Sequence, residues 1–326
     1  MNANRESATE VGIALKGAGG RLGEVMRVID GHVHLYPPEV DIDPAGWAAL
    51  REEKHWALLC TRRRRDGRPV QSLPRVEALL RAMDAGGVDR AVLLGWYWEK
   101  HDTCVWQNRF YAECVRAHPD RLSAFAVFHP AAGAAAAVEE VRRACGDGLI
   151  GIGEMSPHSQ GFSVQDPAFG EVMALAADLK LPVNLHAADP ESRRFPGWVE
   201  TPAKDFVWLA RTFPRTSFVL AHWGGMLAMR DTRLAERRNV FFDTAASPLL
   251  YDEKVWAQAM PVLGRERVLF GSDYPLNLYP RVSVEAEMRR FVAEAKRGGA
   301  DEGVMGGNVA QLLGLRGEKE SENEND

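Results

Sequence analysis

Short apolar runs of four to six residues, rich in Val, Ile, Leu and Phe, alternate along this chain with longer stretches whose apolar residues recur every three or four positions. The first pattern predicts buried parallel strands and the second amphipathic helices. Candidate strands lie at 25–30, 91–94, 123–128, 149–154, 182–186, 217–222, 240–243 and 268–273. Helical patterns follow most of them, among them RVEALLRAMDAGG after Pro74, FGEVMALAADLK after Pro167 and AKDFVWLARTF after Pro202. Proline is tolerated at a helix start because its missing N–H would have no intrahelical partner there.

The predicted strand ends fall near 34, 95, 129, 154, 186, 222, 243 and 273, at intervals of 61, 34, 25, 32, 36, 21 and 30 residues. Six intervals are the length of one strand–helix unit; the first is one unit plus an insertion over about 35–74. Eight such units in series predict an α/β fold, a closed (β/α)8 TIM-like barrel. An open doubly wound sheet would place a Gly-rich phosphate loop after its first strand, where this chain reads Asp30-Gly31-His32-Val33-His34. The expected organisation is a loose extension over 1–24, one barrel domain over 25–315 and an acidic, disordered tail over 316–326.

Composition narrows the class. The chain has 326 residues, 46% hydrophobic and 26% charged, the profile of a globular enzyme. No apolar run reaches the roughly 18–20 residues of a membrane span. Forty basic against 45 acidic side chains give a net charge of −5. The tail carries two basic and five acidic residues, or −3, so the body is near neutral at −2. Nucleic acid is therefore an unexpected partner, and the basic run 62–65 reads as a solvated loop. Cys60, Cys104, Cys114 and Cys145 have no zinc-finger spacing and read as reduced, buried residues. Residues 1–24 lack the apolar core of a secretory signal, so a cytoplasmic location is expected.

Ionisable residues recur at the predicted strand ends: Asp30, His32 and His34 at the first, Glu154 at the fourth, His186 at the fifth, His222 at the sixth and Asp273 at the eighth. In a barrel these ends converge on one mouth, where active sites lie. His32 and His34 are two apart on a strand, point the same way and can reach one metal. His186 and Asp273, at equivalent ends, can complete its shell with nitrogen and a hard oxygen. Asp273 is also placed to take a proton from activated water, and His222 to polarise a carbonyl or protonate a leaving group.

The motifs DGHVHL, GIGE, LPVNLH, LAHWGG and LFGSDYP, followed by MGGNVAQLLGL, resemble in order and spacing the amidohydrolase superfamily. The branch they resemble is the amidohydrolase-2 group, with the aminocarboxymuconate-semialdehyde decarboxylase relatives, and the resemblance spans about 26–315. It implies a distorted TIM barrel holding one or two divalent metals, zinc first, with manganese or another ion as the alternative. His32, His34, His186 and Asp273 match the family's metal ligands and His222 its strand-six catalytic histidine. Glu154 has two readings. It is a direct ligand that bridges two ions, as a similar glutamate does in TatD-type nucleases, or it is a carboxylate that orients a histidine.

The remaining candidates concern a small-molecule substrate. Trp96, Tyr97 and Trp98 follow strand two and are expected to wall a flat apolar molecule; packing against the scaffold is their alternative. Arg193, beside Arg194, is positioned in the loop after His186 to bind a substrate carboxylate, and His158 lies just beyond Glu154. The insertion reads as a lid or a subunit contact, compatible with a homodimer. The leading expectation is a metal-dependent hydrolase of a lactone, amide or ester, because Glu154 suggests water activation. The alternative is a metal-dependent, non-oxidative decarboxylase of an aromatic or unsaturated acid.

Overall fold

A computed structural model of the chain describes residues 28–278 and 287–315. The expected extension, the first three residues of the first predicted strand and the acidic tail lie outside the described residues. Eight parallel strands follow in chain order: β1 Ile29–Val33, β2 Arg90–Leu93, β3 Leu122–Ala124, β4 Ile152–Met155, β5 Val183–Leu185, β6 Phe218–Leu220, β7 Val240–Asp243 and β8 Val268–Leu269. Hydrogen bonding joins β1-β2-β3 into one sheet and β4-β5-β6-β7-β8 into another. Two seams close the cylinder. Ala126 receives Gly153 N–H and donates to Gly151, both at 2.8 Å, while Gly31 N–H reaches Phe270 O and His34 N–H reaches Tyr274 O, also at 2.8 Å. The result is a (β/α)8 barrel whose strands are short because the chain turns into the mouth at their carboxyl ends.

Alternation along the strands sorts the core into two layers. Leu122 and Ala124, Phe218 and Leu220, and Val268 pack outward beneath the helices. Ile29, Val92, Leu94, Phe125, Val219 and Leu269 form a second cluster. Because these six come from strands all round the barrel, they fill its interior. The terminal helix Asn308–Leu313 inserts Val309 into that cluster and plugs one end. The opposite end is left to polar side chains.

The helices form where periodicity and caps agree. Val76–Gly86 follows the predicted apolar spacing and ends at Gly87, whose φ of 66° suits glycine. It packs on Met288–Arg297, closing the helical ring; a Cβ at Gly86 would stand 2.9 Å from Met288 Cβ. Pro167–Leu179 opens on Asp166, whose carboxylate accepts the N–H groups of Ala168 and Phe169. The insertion folds as Pro38–Ile42, Pro44–Arg51 and Lys54–Cys60. No helix among the described residues is long and apolar enough to cross a membrane.

Candidate active site

His32 and His34 leave β1 into the barrel mouth, both buried. Each ring is held from behind. His32 Nδ1 lies 2.9 Å from Asp243 Oδ2, and His34 Nδ1 lies 2.9 Å from the Leu94 carbonyl. A carbonyl only accepts, so His34 donates from Nδ1 and turns the lone pair of Nε2 forward. The carboxylate fixes His32 in the same sense. The two Nε2 atoms then face one another at 3.3 Å.

Glu154 ends β4 and places one oxygen on each side of the mouth. Oε2 lies 3.5 Å from His34 Nε2 and 3.7 Å from His32 Nε2. Oε1 lies 2.8 Å from His186 Nδ1 and 3.5 Å from His222 Nε2. Asp273, just past β8, brings Oδ1 to 3.3 Å from His34 Nε2 and 3.7 Å from His32 Nε2. The six side chains predicted from the strand ends therefore meet.

His222 reaches the site by an unusual route. β6 was expected to run to residue 222 but ends at Leu220. Residues 222–226 then have φ of 58°, 57°, 60°, 58° and 53°, a left-handed turn. Such backbone costs about 1–2 kcal/mol per non-glycine residue, so the surroundings must hold it. His222 N–H donates to Asp243 Oδ1 at 3.0 Å, and Trp223 Nε1 donates to Ser247 at 3.0 Å. Trp223 is fully buried edge-on to Trp256.

Asp243, at the end of β7, organises this arrangement. Besides His32 and His222 N–H it accepts from Asn184 Nδ2 at 2.9 Å and from Ala245 N–H at 3.0 Å. Sequence reading placed Asp243 at a strand end without giving it a task. The signal was present, since Asp243 is an acidic strand end like Glu154 and Asp273.

The charges explain one another. Burial pushes the Asp243 and Glu154 carboxyls up, yet neighbouring imidazoles outweigh it: His32 holds Asp243 low, and His186 with His222 holds Glu154 well below the usual range. Burial pushes the imidazoles down in turn. Asp243 and Glu154 overcome this at His32, and Asp273 with Glu154 carries His34 up to about 9. At His186 burial prevails and its pKa falls. Glu154 and Asp243 are thus held ionised inside the mouth.

Both Asp273 carboxylate oxygens are buried and without a hydrogen-bond partner among the described residues. Ligands about 2.0–2.2 Å from a tetrahedral ion stand roughly 3.4 Å apart; the distances of His32 and His34 Nε2 from one another, from Glu154 Oε2 and from Asp273 Oδ1 run from 3.3 to 3.7 Å. Two ligand groups share Glu154: one with His32 and His34, the other with His186 and His222. The donor set fits a metal.

The amidohydrolase family profile matches residues 29–315. The chain belongs to the amidohydrolase family. A search of curated proteins finds no significant match. Among solved structures, 5-carboxyvanillate decarboxylase from Sphingomonas paucimobilis is similar with TM-score 0.69 and 20% identity, over 90% of this chain and 100% of that one. 2,6-Dihydroxybenzoate decarboxylase from Rhizobium follows at 0.65 and 19%, over 90% and 100%. A probable 2-pyrone-4,6-dicarboxylic acid hydrolase from Acinetobacter baumannii has TM-score 0.61 and 16% identity, over 89% and 100%. At these identities the likeness establishes a shared fold.

Within this amidohydrolase barrel a narrow cavity opens over the cluster, lined by His34, His186, His222 and Asp273 beneath Trp96, Tyr97, Phe195, Trp198 and several leucines. Trp96 stacks on Tyr97 and tilts toward His34. Three further expected substrate contacts stand elsewhere. Trp98 is fully buried among Tyr36, Trp47 and Trp56, with Nε1 donating to Gln107 at 2.7 Å. His158 pairs with Asp205 at 2.9 Å, outside the cavity. Arg193 is exposed on its loop and does not line the cavity, while Arg194 stacks on Trp198. Tyr97 lines the cavity beside Trp96, and Asp189, which sequence reading did not single out, lines it as well.

Proposed function

We propose that this protein is a metal-dependent, non-oxidative decarboxylase of a small aromatic acid. One observation carries the reading: the cavity joins a flat aromatic and leucine wall to a buried cluster of four histidines and two carboxylates. The aromatic-acid decarboxylases among the similar folds support it better than the hydrolase expectation drawn from Glu154. His32, His34, Asp273 and Glu154, with His186 beside them, would hold the divalent ion; manganese is favoured over zinc because it is bound in two of the similar structures. When bound, the ion anchors and polarises the substrate carboxylate.

The residues supply the rest. Trp96 and the leucines exclude water and hold the ring flat. The net reaction replaces a ring carboxylate by hydrogen: a proton is added at the ring carbon, the bond to the carboxyl carbon breaks, and CO2 leaves. Asp273 suits proton delivery because its oxygens have no other hydrogen-bond partner. His222 donates from Nδ1 to the Ala245 carbonyl at 3.1 Å, which turns Nε2 toward the cluster, 3.2 Å from His186 Nδ1, at the floor of the cavity. The test is to load the protein with manganese and incubate it with a panel of hydroxybenzoates. CO2 release is expected. Hydrolysis of lactones or esters, with every aromatic acid left intact, would overturn the proposal.

A further inference from the structure

We infer that Asp189 selects the substrate by the group opposite its reacting carboxylate, favouring a hydroxyl or amino donor and rejecting a second carboxylate. The inference rests on the decarboxylase reading and adds the substrate class.

Asp189 lines the cavity and is 8% exposed. It stands three residues beyond His186, so its Cα lies within about 11 Å of that of His186, a span that a substituted benzene ring bridges. Its position is fixed. Ala188 N–H donates to Thr201 Oγ1 at 2.7 Å, and Asp189 Oδ1 accepts Glu191 N–H at 2.9 Å. The left-handed turn that carries His222 packs against the same strap: a Cβ at Gly225 would meet the Ala188 carbonyl carbon at 2.7 Å and Asp189 N at 3.0 Å.

The charge around it is negative. Arg230 reaches Asp189 Oδ1 at 3.4 Å but also binds Glu191, so one cation is shared by two carboxylates. No lysine or arginine lines the cavity among the described residues. The hydrogen bonds and the ion pair that hold Asp189 among the described residues all engage Oδ1, so Oδ2 is the oxygen placed to accept from a ligand. A ring hydroxyl or amine satisfies it, whereas a second carboxylate meets like charge without a counter-ion.

The manganese-loaded protein and its Asp189→Asn variant are titrated calorimetrically with benzoate, 3- and 4-hydroxybenzoate, and benzene-1,3- and 1,4-dicarboxylate. Asparagine keeps the turn, since its amide oxygen still accepts Glu191 N–H, so an unchanged thermal midpoint is expected. The native protein should bind one hydroxybenzoate at least about 10-fold tighter than the matching dicarboxylate, and the variant should narrow that ratio by about 10-fold. Equal affinity for the two classes, or a ratio unaltered in the variant, overturns the inference. Benzoate carries nothing opposite Asp189 and reports on the decarboxylase reading alone. If no benzoate of any kind binds the metal-loaded protein, both fail.

Discussion

The mouth holds two pairs of imidazoles that look alike in sequence and differ in physics. His32 and His34 share one strand, are 0% and 2% exposed, and are clamped at Nδ1 by Asp243 and a backbone carbonyl. His186 and His222 come from successive units and are 8% and 6% exposed; both line the cavity, which His34 reaches only at its 2% exposed edge and His32 does not line. The first pair is a clamped chelate; the second is the more open to a substrate. Glu154 joins them with one oxygen toward each. Burial and anchoring, more than residue type, separate holding an ion from handling a ligand.

Breaking the first pair should have the largest effect. His32→Ala or His34→Ala is expected to abolish bound metal and turnover together, a loss of about three orders of magnitude or more. That exceeds the roughly 10–100-fold expected when only a residue supporting a ligand is lost. His222→Ala should retain the metal and lose about 10²–10⁴-fold in rate, the scale of a missing acid–base group. Elemental analysis beside kinetics checks both. A His34→Ala protein with full metal, or a His222→Ala protein with none, would erase the distinction.

Asp273 belongs to the first group by distance and to the chemistry by its lack of hydrogen-bond partners. In Asp273→Asn the amide oxygen still coordinates weakly, but the group neither takes up nor releases a proton near neutral pH. Metal should be partly retained, with turnover down by about two or more orders of magnitude. Near-normal turnover in a metal-loaded variant would remove Asp273 from proton delivery.

Glu154→Gln probes the bridge. Loss of a carboxylate shared by two ions should lower the metal count from about two per chain to one. An unchanged count with about 10–100-fold weaker affinity would instead assign Glu154 to a single ion and to orienting His186. Unaltered stoichiometry, affinity and turnover would remove it from the site.

Much of this was legible before the structure because barrel topology turns strand ends into neighbours. His32, His34, Glu154, His186, His222 and Asp273 were all found by position alone. Asp243 was missed because its work is to hold other residues, which becomes visible only once the closed barrel brings the end of β7 to His32 and to His222 N–H. The turn at 222–226 was not legible either, since alternating apolar residues continue past Leu220 and nothing local announces left-handed backbone at a histidine. The insertion was seen as a lid or contact. The structure shows it tied down, with Glu53 accepting Glu99 N–H at 2.7 Å and His55 facing the Gly197 carbonyl at 2.7 Å.

Trp98 gives the smallest predicted effect and marks where the functional wall stops. On an extended strand, Trp96 and Trp98 would share a face. Here Trp98 N–H bonds to Trp96 O at 2.9 Å, a reversal within three residues that sends the second indole into the scaffold. Trp98→Phe would keep the aromatic packing with Tyr36, Trp47 and Trp56 but leave Gln107 Oε1 without its donor. An unsatisfied buried acceptor costs about 1–3 kcal/mol, so the urea midpoint should fall while turnover and metal content stay native. Trp96→Phe alters the cavity wall itself, 5.4 Å from the His34 ring, and should raise KM at nearly unchanged stability. If the Trp98 variant instead changed KM with no loss of stability, the substrate wall would have to extend past Tyr97.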